Sequence, residues 1–400
     1  MSSWPFVPVA RIAKPVERPE VPVTGNSYRQ VGVKLWGAGA YERESIDGGG
    51  TQYKTLSRVE ADDIIVNKIW ARNGSVAVIP KSLAGCYVSG EFPTFTPIPD
   101  KLVPRWFHWI TKTRFFWDQC DAKSRGTSGK NRIRPERFLE IEIPLPPLPE
   151  QRRIVARIEE LAGKINEARG LRRQAAEEAE ALVSRATSAL IDDATWSRQQ
   201  LGDLLVESPR NGLSPKREVE NGGRPMLRIN AVSSSPTRFV DLTALKMVEV
   251  QDDEAAPFEL RCDDVFIVRY NGDINRVAKA AIYKGSEPNR SIFPDKLMRL
   301  RPDHSRIVPD FLVYALGSRS VRQQIEQFGK TTAGNIGISG GNAKSFQVPV
   351  PPIRDQHRIV GELDDMQFKV AELKTLQTQT AAELDALLPS ILDKAFKGEL

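Results

Sequence analysis

The feature that most limits what this chain can fold into is a repeat at one fixed offset. The run Pro144-Leu-Pro-Pro-Leu-Pro-Glu-Gln-Arg-Arg-Ile-Val155 returns 205 residues later as Pro349-Val-Pro-Pro-Ile-Arg-Asp-Gln-His-Arg-Ile-Val360, with seven of twelve positions identical. The offset holds upstream without a gap, where Val103-Pro104 matches Val308-Pro309, Arg114 matches Arg319 and Gln119 matches Gln324. It holds downstream, where Ala181-Leu182 matches Ala386-Leu387. Proline content alone would not keep one offset over that distance. The 400 residues are therefore two tandem copies of one unit, with Trp4 and Trp196 marking the two starts.

Each copy reads the same way. Short β-favouring runs follow a polar turn, Asp62-Asp63-Ile64-Ile65-Val66 in one copy and Asp263-Asp264-Val265-Phe266-Ile267 in the other. A helical stretch follows, Pro104 to Gln119 and Pro309 to Phe328, with Pro in the first turn. A Gly/Thr loop, a short strand ending in prolines and a long helix complete the unit.

The prolines through Pro149 predict that the first long helix begins near Glu150. Apolar residues then recur at alternating spacings of four and three: Ile154, Ile158, Leu161, Ile165, Ala168, then Arg172, then Ala175, Ala179, Leu182, Ala186 and Ala189. The second copy gives Ile359, Leu363, Met366, Val370, Leu373, Gln377, Thr380, Leu384, Leu387 and Ile391. These are heptad seams, interrupted by a polar residue at the same place, Arg172 and Gln377. Pro389 predicts a kink or break near Leu388. A helix of roughly 40 residues is about 60 Å long and cannot satisfy its seam inside a compact domain. Its simplest partner is the other copy, and the short connection around Trp196 makes the pair antiparallel. The expected fold class is α+β: two tandem globular mixed domains (1–147 and 193–352), each followed by a spacer helix (148–192 and 353–400), the two helices forming an antiparallel coiled coil with a pseudo-two-fold internal repeat. The other arrangement has each helix packed on its own domain.

Composition narrows the function classes. With 40% hydrophobic and 27% charged residues the chain is neither disordered nor fibrous. No apolar run is long enough to span a membrane, and no secretory signal is visible at Met-Ser-Ser-Trp-Pro. Three scattered cysteines (Cys86, Cys120, Cys262) suggest a reducing compartment rather than a disulfide framework. The histidines His108, His304 and His357 share no ligand spacing with a cysteine, and neither a phosphate-binding loop nor a nucleophile elbow occurs. Pro99-Asp100 followed by Asp121-Ala122-Lys123 spells a loose nuclease-like, Mg²⁺-holding pattern, but copy two, with Glu326-Gln327-Phe328, lacks the lysine. The chain is expected to perform no chemistry alone and to hold no metal.

Charge is uneven: net +6 in residues 1–143, +1 in 144–191, +2 in 192–348 and −3 in 349–400. The densest basic cluster is Lys123-Ser-Arg125-Gly-Thr127-Ser128-Gly-Lys130-Asn-Arg132-Ile-Arg134. Such a loop offers cations, hydroxyls and backbone N–H groups to phosphates, and its Arg and Asn can read base edges. Its equivalent is Gly329-Lys330-Thr331-Thr332-Ala-Gly334-Asn335, less basic but with hydroxyls and glycine retained. A second candidate pair follows the β-like runs: Lys68, Trp70, Arg72, Asn73 and Gly74 in copy one, and Arg269, Tyr270, Asn271, Gly272 and Arg276 in copy two. The plain alternatives are a solvated loop and ordinary Asn-Gly turn chemistry.

Taken with the ending Leu387-Leu-Pro-Ser-Ile-Leu-Asp-Lys-Ala-Phe-Lys-Gly-Glu-Leu400, the two proline runs and the Gly-Thr-Ser-Gly-Lys loop, the chain resembles the specificity subunits of type I restriction–modification enzymes over essentially its full length. The resemblance implies two target-recognition domains, each reading one half of a bipartite target in double-stranded DNA, held at a fixed separation by the helical spacers. It implies two methyltransferase subunits and restriction/translocase subunits as partners, and a cytoplasmic, non-membrane setting. S-adenosylmethionine, ATP and Mg²⁺ would belong to those partners, with no cofactor in this chain. Two other functions remain on the residues alone: a self-contained duplicated DNA-binding regulator, and a coiled-coil scaffold without DNA.

Overall fold

The computed structural model describes residues 4–125, 131–214, 217–220, 222–235, 237–285, 290–332 and 335–400. Its described helices are α1 (Pro104–Ile110), α2 (Arg114–Lys123), α3 (Pro135–Phe138), α4 (Leu148–Ile191), α5 (Asn230–Ser233), α6 (Asp252–Ala255), α7 (Pro309–Gly317), α8 (Arg319–Phe328), α9 (Gly340–Ser345), α10 (Ile353–Gln379) and α11 (Ala381–Lys397). They fall into two compact units, residues 1–172 with 377–400, and residues 173–376. None of the described helices is long and apolar enough to cross a membrane.

In the first unit, Phe6–Pro8 pairs antiparallel with Glu142–Pro144. A four-stranded antiparallel sheet follows in the order Ala13–Val16, Thr94–Pro97, Ile64–Val66, Val76–Val78. The second unit repeats this frame. Ser197–Gln200 pairs with Gln347–Val350, and the sheet runs Arg210–Asn211, Leu297–Leu300, Val265–Val268, Ala280–Ile282. The central strands are β-branched and aromatic because both faces are covered. Ile64 and Val66 face the core built on α1, α2 and α4, while Ile65 and Ala77 face a second cluster with Val31 and Val88. In the second unit Val265 and Ile267 pack with α7, and Phe266 and Val268 with Leu227 and Phe293. The strand entry is the same device twice. Asp62 and Asp263 take positive φ (70° and 68°), and the buried Asp63 and Asp264 accept the Glu60 and Arg261 N–H groups at 2.8 Å.

The outer layer differs. Unit one adds a five-stranded sheet ordered Pro19–Glu20, Leu56–Arg58, Tyr87–Val88, Ser27–Val33, Ala40–Asp47. Unit two adds the pair Arg224–Leu227 with Leu245–Val248 and the short helices α5 and α6.

A buried glutamine ties the frame to the long helix in each unit. Gln151 accepts from the Val103 N–H (2.8 Å) and donates to the Lys101 and Pro146 carbonyls (3.0 and 2.8 Å). Gln356 accepts from the Val308 N–H (2.7 Å) and donates to the Arg306 and Pro351 carbonyls (3.2 and 2.9 Å). Every partner is shifted by 205.

The helices pack antiparallel within each unit. In unit one, Arg153 donates to the Leu400 carbonyl (2.8 Å), Arg169 pairs with Asp385 (2.7 Å), and Ile154 and Ile158 pack with Leu392, Ala395 and Phe396. In unit two, Lys374 bonds to Glu180, and Ile191 packs with Ile359 and Leu363. The polar interruption is a joint: Arg172 donates to the carbonyl of Gln377, its own repeat equivalent, and to the Thr380 hydroxyl (2.8 Å), while Gln377 Nε2 returns a bond to the Arg172 carbonyl (3.1 Å).

Three sequence expectations change here. Helix α4 starts at Leu148, because Pro149 sits in the first turn, where a missing N–H loses nothing. The break in the second helix falls at Thr380 and not near Leu388; α11 runs through Pro389, and the Asp385 and Pro389 positions lie exposed, open to water. Third, alternate seam positions beyond Arg172 move by one residue, while Ala179, Ala186, Leu384 and Ile391 stay half-buried as expected. Ile154, Ile158, Ile165, Ile359 and Leu363 are buried, and Leu161, Met366, Val370, Leu373 and Leu384 are half-buried. Leu182 and Leu387 instead face outward, 58% and 46% exposed, while their neighbours Val183 and Leu388 turn inward.

The domain-to-helix junction changes sign at one of its two positions between units. In unit one Arg105 on α1 pairs with Glu159 on α4 at 2.7 Å. The equivalents in unit two, Asp310 and Asp364, are both acidic. Arg238, from the outer layer, bridges them: its Nε lies 2.9 Å from Asp310 and its Nη1 bonds to Asp364, while Lys284 reaches Asp310 at 3.0 Å and Tyr314 donates to Asp364 at 2.6 Å. Burial alone would push the Asp310 carboxyl up, but Arg238 and Lys284 outweigh it and hold it below the usual carboxylate range. The contribution of this group is therefore present above the unfolded-state value and lost as pH falls through the depressed folded one. Arg238→Ala is expected to cost about 2 kcal/mol at pH 7, because Asp364 loses its ion-pair partner and Asp310 keeps only Lys284. The loss should shrink at pH 4; urea midpoints showing a pH-independent loss would contradict this.

Candidate nucleic-acid interface

In unit one the strand Ile64–Val66 leads into a turn that presents Trp70, 45% exposed, beside half-buried Arg72 and Asn73. Gly74 closes it at φ 74°, and a Cβ there would stand 2.7 Å from the Trp117 indole nitrogen. Trp117 on α2 thus buttresses the turn, and Trp36 stacks edge-on against it at 5.6 Å. Trp36 is itself 58% exposed at φ 57°, with its N–H bonded to the Asn73 carbonyl (2.6 Å).

The basic loop returns to this turn. The Ile133 N–H bonds to the Lys68 carbonyl (2.9 Å), and Arg125 and Arg132 exchange backbone bonds at 3.2 Å. Arg125 and Arg132 are exposed; Thr127, Ser128 and Lys130 lie outside the described residues. Not every predicted cation is available. Lys68 Nζ is bonded to the Gly90 carbonyl (2.6 Å), Arg132 lies 3.3 Å from Glu91, and Lys123 pairs with Glu140 at 2.6 Å, holding that carboxyl below its usual range.

Unit two brings the same two regions into one sheet. Tyr270–Asn271 pairs with Asn335–Gly337, which pairs in turn with Lys330–Thr332. The Tyr270 ring lies against Gly337, where a Cβ would come within 2.1 Å, and the Arg269 guanidinium sits 4.5 Å over that ring. Asn271 accepts the Asp273 N–H (3.0 Å), so its side chain shapes the turn; Arg276 is exposed. Arg322 on α8, the equivalent of Trp117, holds this turn by donating to the Val277 and Ile274 carbonyls (2.6 and 2.8 Å). Sequence reading missed Trp36, Trp117 and Arg322. The shared position 117/322 was within the repeat, but its two side chains have nothing chemical in common.

Chemically, each unit offers an exposed aromatic for stacking or wedging, arginines for phosphates or guanine edges, and a backbone-rich loop beside them. No group of three His, Cys, Asp or Glu side chains among the described residues is placed to hold a metal ion. His108 is held neutral, its pKa pushed down to about 3 by burial and by nearby Lys112 and Arg105.

Residues 4–173 match the type I restriction modification DNA specificity domain. With the duplicated frame, the match places the chain beside the type I restriction–modification specificity subunits, to which it is similar over most of its length. It is similar to the type I restriction enzyme EcoKI specificity subunit of Escherichia coli K12, 29% identical over 371 residues covering 87% of this chain and 76% of that one. It is similar to the StySPI specificity subunit of Salmonella potsdam, 27% identical with the same coverage. The fold is shared with the HsdS subunit of Thermoanaerobacter tengcongensis, with a TM-score of 0.63 and 24% identity over 99% of this chain and 97% of that one.

Proposed function

We propose that this chain is the DNA-recognition subunit of a type I restriction–modification complex, reading a bipartite duplex target with one half-site per unit. The observation that carries this reading is the repeated pairing of an aromatic turn with a glycine-containing loop, each braced by the same helix position. The chain performs no chemistry itself. Methyl transfer with S-adenosylmethionine, and ATP- and Mg²⁺-dependent cleavage, fall to partner methyltransferase and restriction subunits.

One observation favours assembly over a self-contained regulator. Exposed leucines recur on the helices at the repeat offset: Leu171 with Leu376, and Leu182 with Leu387. Unit one thus presents Leu171 and Leu387, and unit two presents Leu182 and Leu376. Leucines exposed at equivalent positions in both units suit two copies of one partner.

The reading is tested on the full chain with Arg125→Ala and Lys130→Ala. DNA affinity is expected to fall at least tenfold, and the slope of log affinity against log salt to flatten by about 2, one per lost phosphate contact. An unchanged slope would remove the loop from the interface.

A further inference from the structure

Unit one concentrates its cations in the loop 123–134; the equivalent hairpin of unit two is poor in them. The missing charge reappears in a cleft. In both units a cleft opens beside the residue preceding the second strand of the four-stranded sheet. In unit one it measures about 230 Å³ and is lined chiefly by prolines, serines, threonines and phenylalanines; its one cation among the described residues, Lys68, is bonded to the Gly90 carbonyl. In unit two it measures about 510 Å³ and is lined by Ser214, Arg228, Asn230, Lys246, Asp295 and Lys296 among others. Its wall is continuous with the Arg269–Tyr270 turn: the Lys296 and Asp295 carbonyls accept from the Arg269 N–H (2.8 Å) and guanidinium (3.5 Å).

Resting on the reading above, we propose that this cleft extends the DNA-reading surface of unit two beyond its aromatic turn and hairpin, with Lys296 on a phosphate and Arg228 and Asn230 on base edges. Lys296 is exposed, and its ammonium has no ion-pair or hydrogen-bond partner among the described residues. Arg228 is pre-oriented. Its Nε is tied to the Leu245 carbonyl (3.2 Å) and its Nη2 to Glu218 (2.5 Å), which leaves Nη1 free, and the side chain is 46% exposed. A guanidinium fixed by a carboxylate loses little freedom on meeting a guanine edge. Glu218, 3.6 Å from Lys246, also keeps the cleft from being a uniformly positive patch that would bind any sequence.

The experiment selects bound duplexes from a random-sequence pool with the full chain, wild type and Asn230→Ala/Lys296→Ala. Both positions are exposed, so the variant should melt with the wild type. Wild type is expected to enrich two short motifs separated by a gap. The variant should bind at least tenfold more weakly and enrich one motif at background level while keeping the other. Two motifs retained at wild-type strength overturn the cleft assignment and leave the recognition function standing. No motif with the wild type overturns both.

Discussion

Replacing Gln356 with Ala is expected to be the most damaging single change in unit two, lowering its unfolding temperature by about 10 °C. The side chain is fully buried and serves three backbone groups: the Val308 N–H at the start of α7, and the Arg306 and Pro351 carbonyls. Truncation leaves all three without a protein partner, two of them, the Val308 N–H and the Pro351 carbonyl, in a buried site. At about 1–3 kcal/mol for each unsatisfied group, the total is several kcal/mol. A unit of this size moves roughly 2–4 °C per kcal/mol. Gln356→Glu should fail similarly, since a carboxylate keeps the acceptor and loses both donors. Gln151→Ala should do the same to unit one. A calorimetric trace within about 2 °C of wild type would show that the knot does not carry the frame.

The second large effect concerns assembly. Leu182→Asp with Leu387→Asp is expected to leave the fold intact and to abolish co-purification of the methyltransferase partner. Both leucines face outward, and exposed substitutions of this kind usually stay within about 0.5 kcal/mol in stability. A charge in the centre of an apolar interface, by contrast, removes a buried anchor and leaves an unpaired carboxylate. Each single variant should lose one partner copy of two, visible as a stepwise mass loss in native mass spectrometry. A full complement in the double variant would place the docking surface elsewhere.

The outward turn of these leucines also shows where sequence reading stops. The offset of 205 identified the copies, and heptad spacing identified the long helices, because both are periodic signals that survive divergence. The face of the helix beyond Arg172 was not decidable. Ala175-Ala176, Leu182-Val183 and Ala189-Leu190 are apolar doublets, as are Leu387-Leu388 and Ile391-Leu392, so two registers are equally hydrophobic. Three-dimensional packing chooses between them. The break at Thr380 carries no Gly or Pro; it is marked by a side chain from another helix, Arg172, taking the local carbonyl. At the candidate interface the residue types were legible and their availability was not. Lys68 and Lys123 read as cations for DNA, yet each has a partner that lies far along the chain. Gln151 and Gln356 stood within the identical residues of the repeat, but two of the three partners of each lie 48 and 50 positions upstream.

The joint between Arg172 and Gln377 has a bearing on ancestry. A residue that meets its own repeat counterpart marks the place where two identical half-length chains would meet themselves. Two copies of the second half would set glutamine against glutamine, a pair that can exchange amide hydrogen bonds. Two copies of the first half would set arginine against arginine, charge against like charge. Once both halves share one polypeptide, the mixed pair forms within the chain, and the first half no longer has a satisfactory way to close on another of its kind.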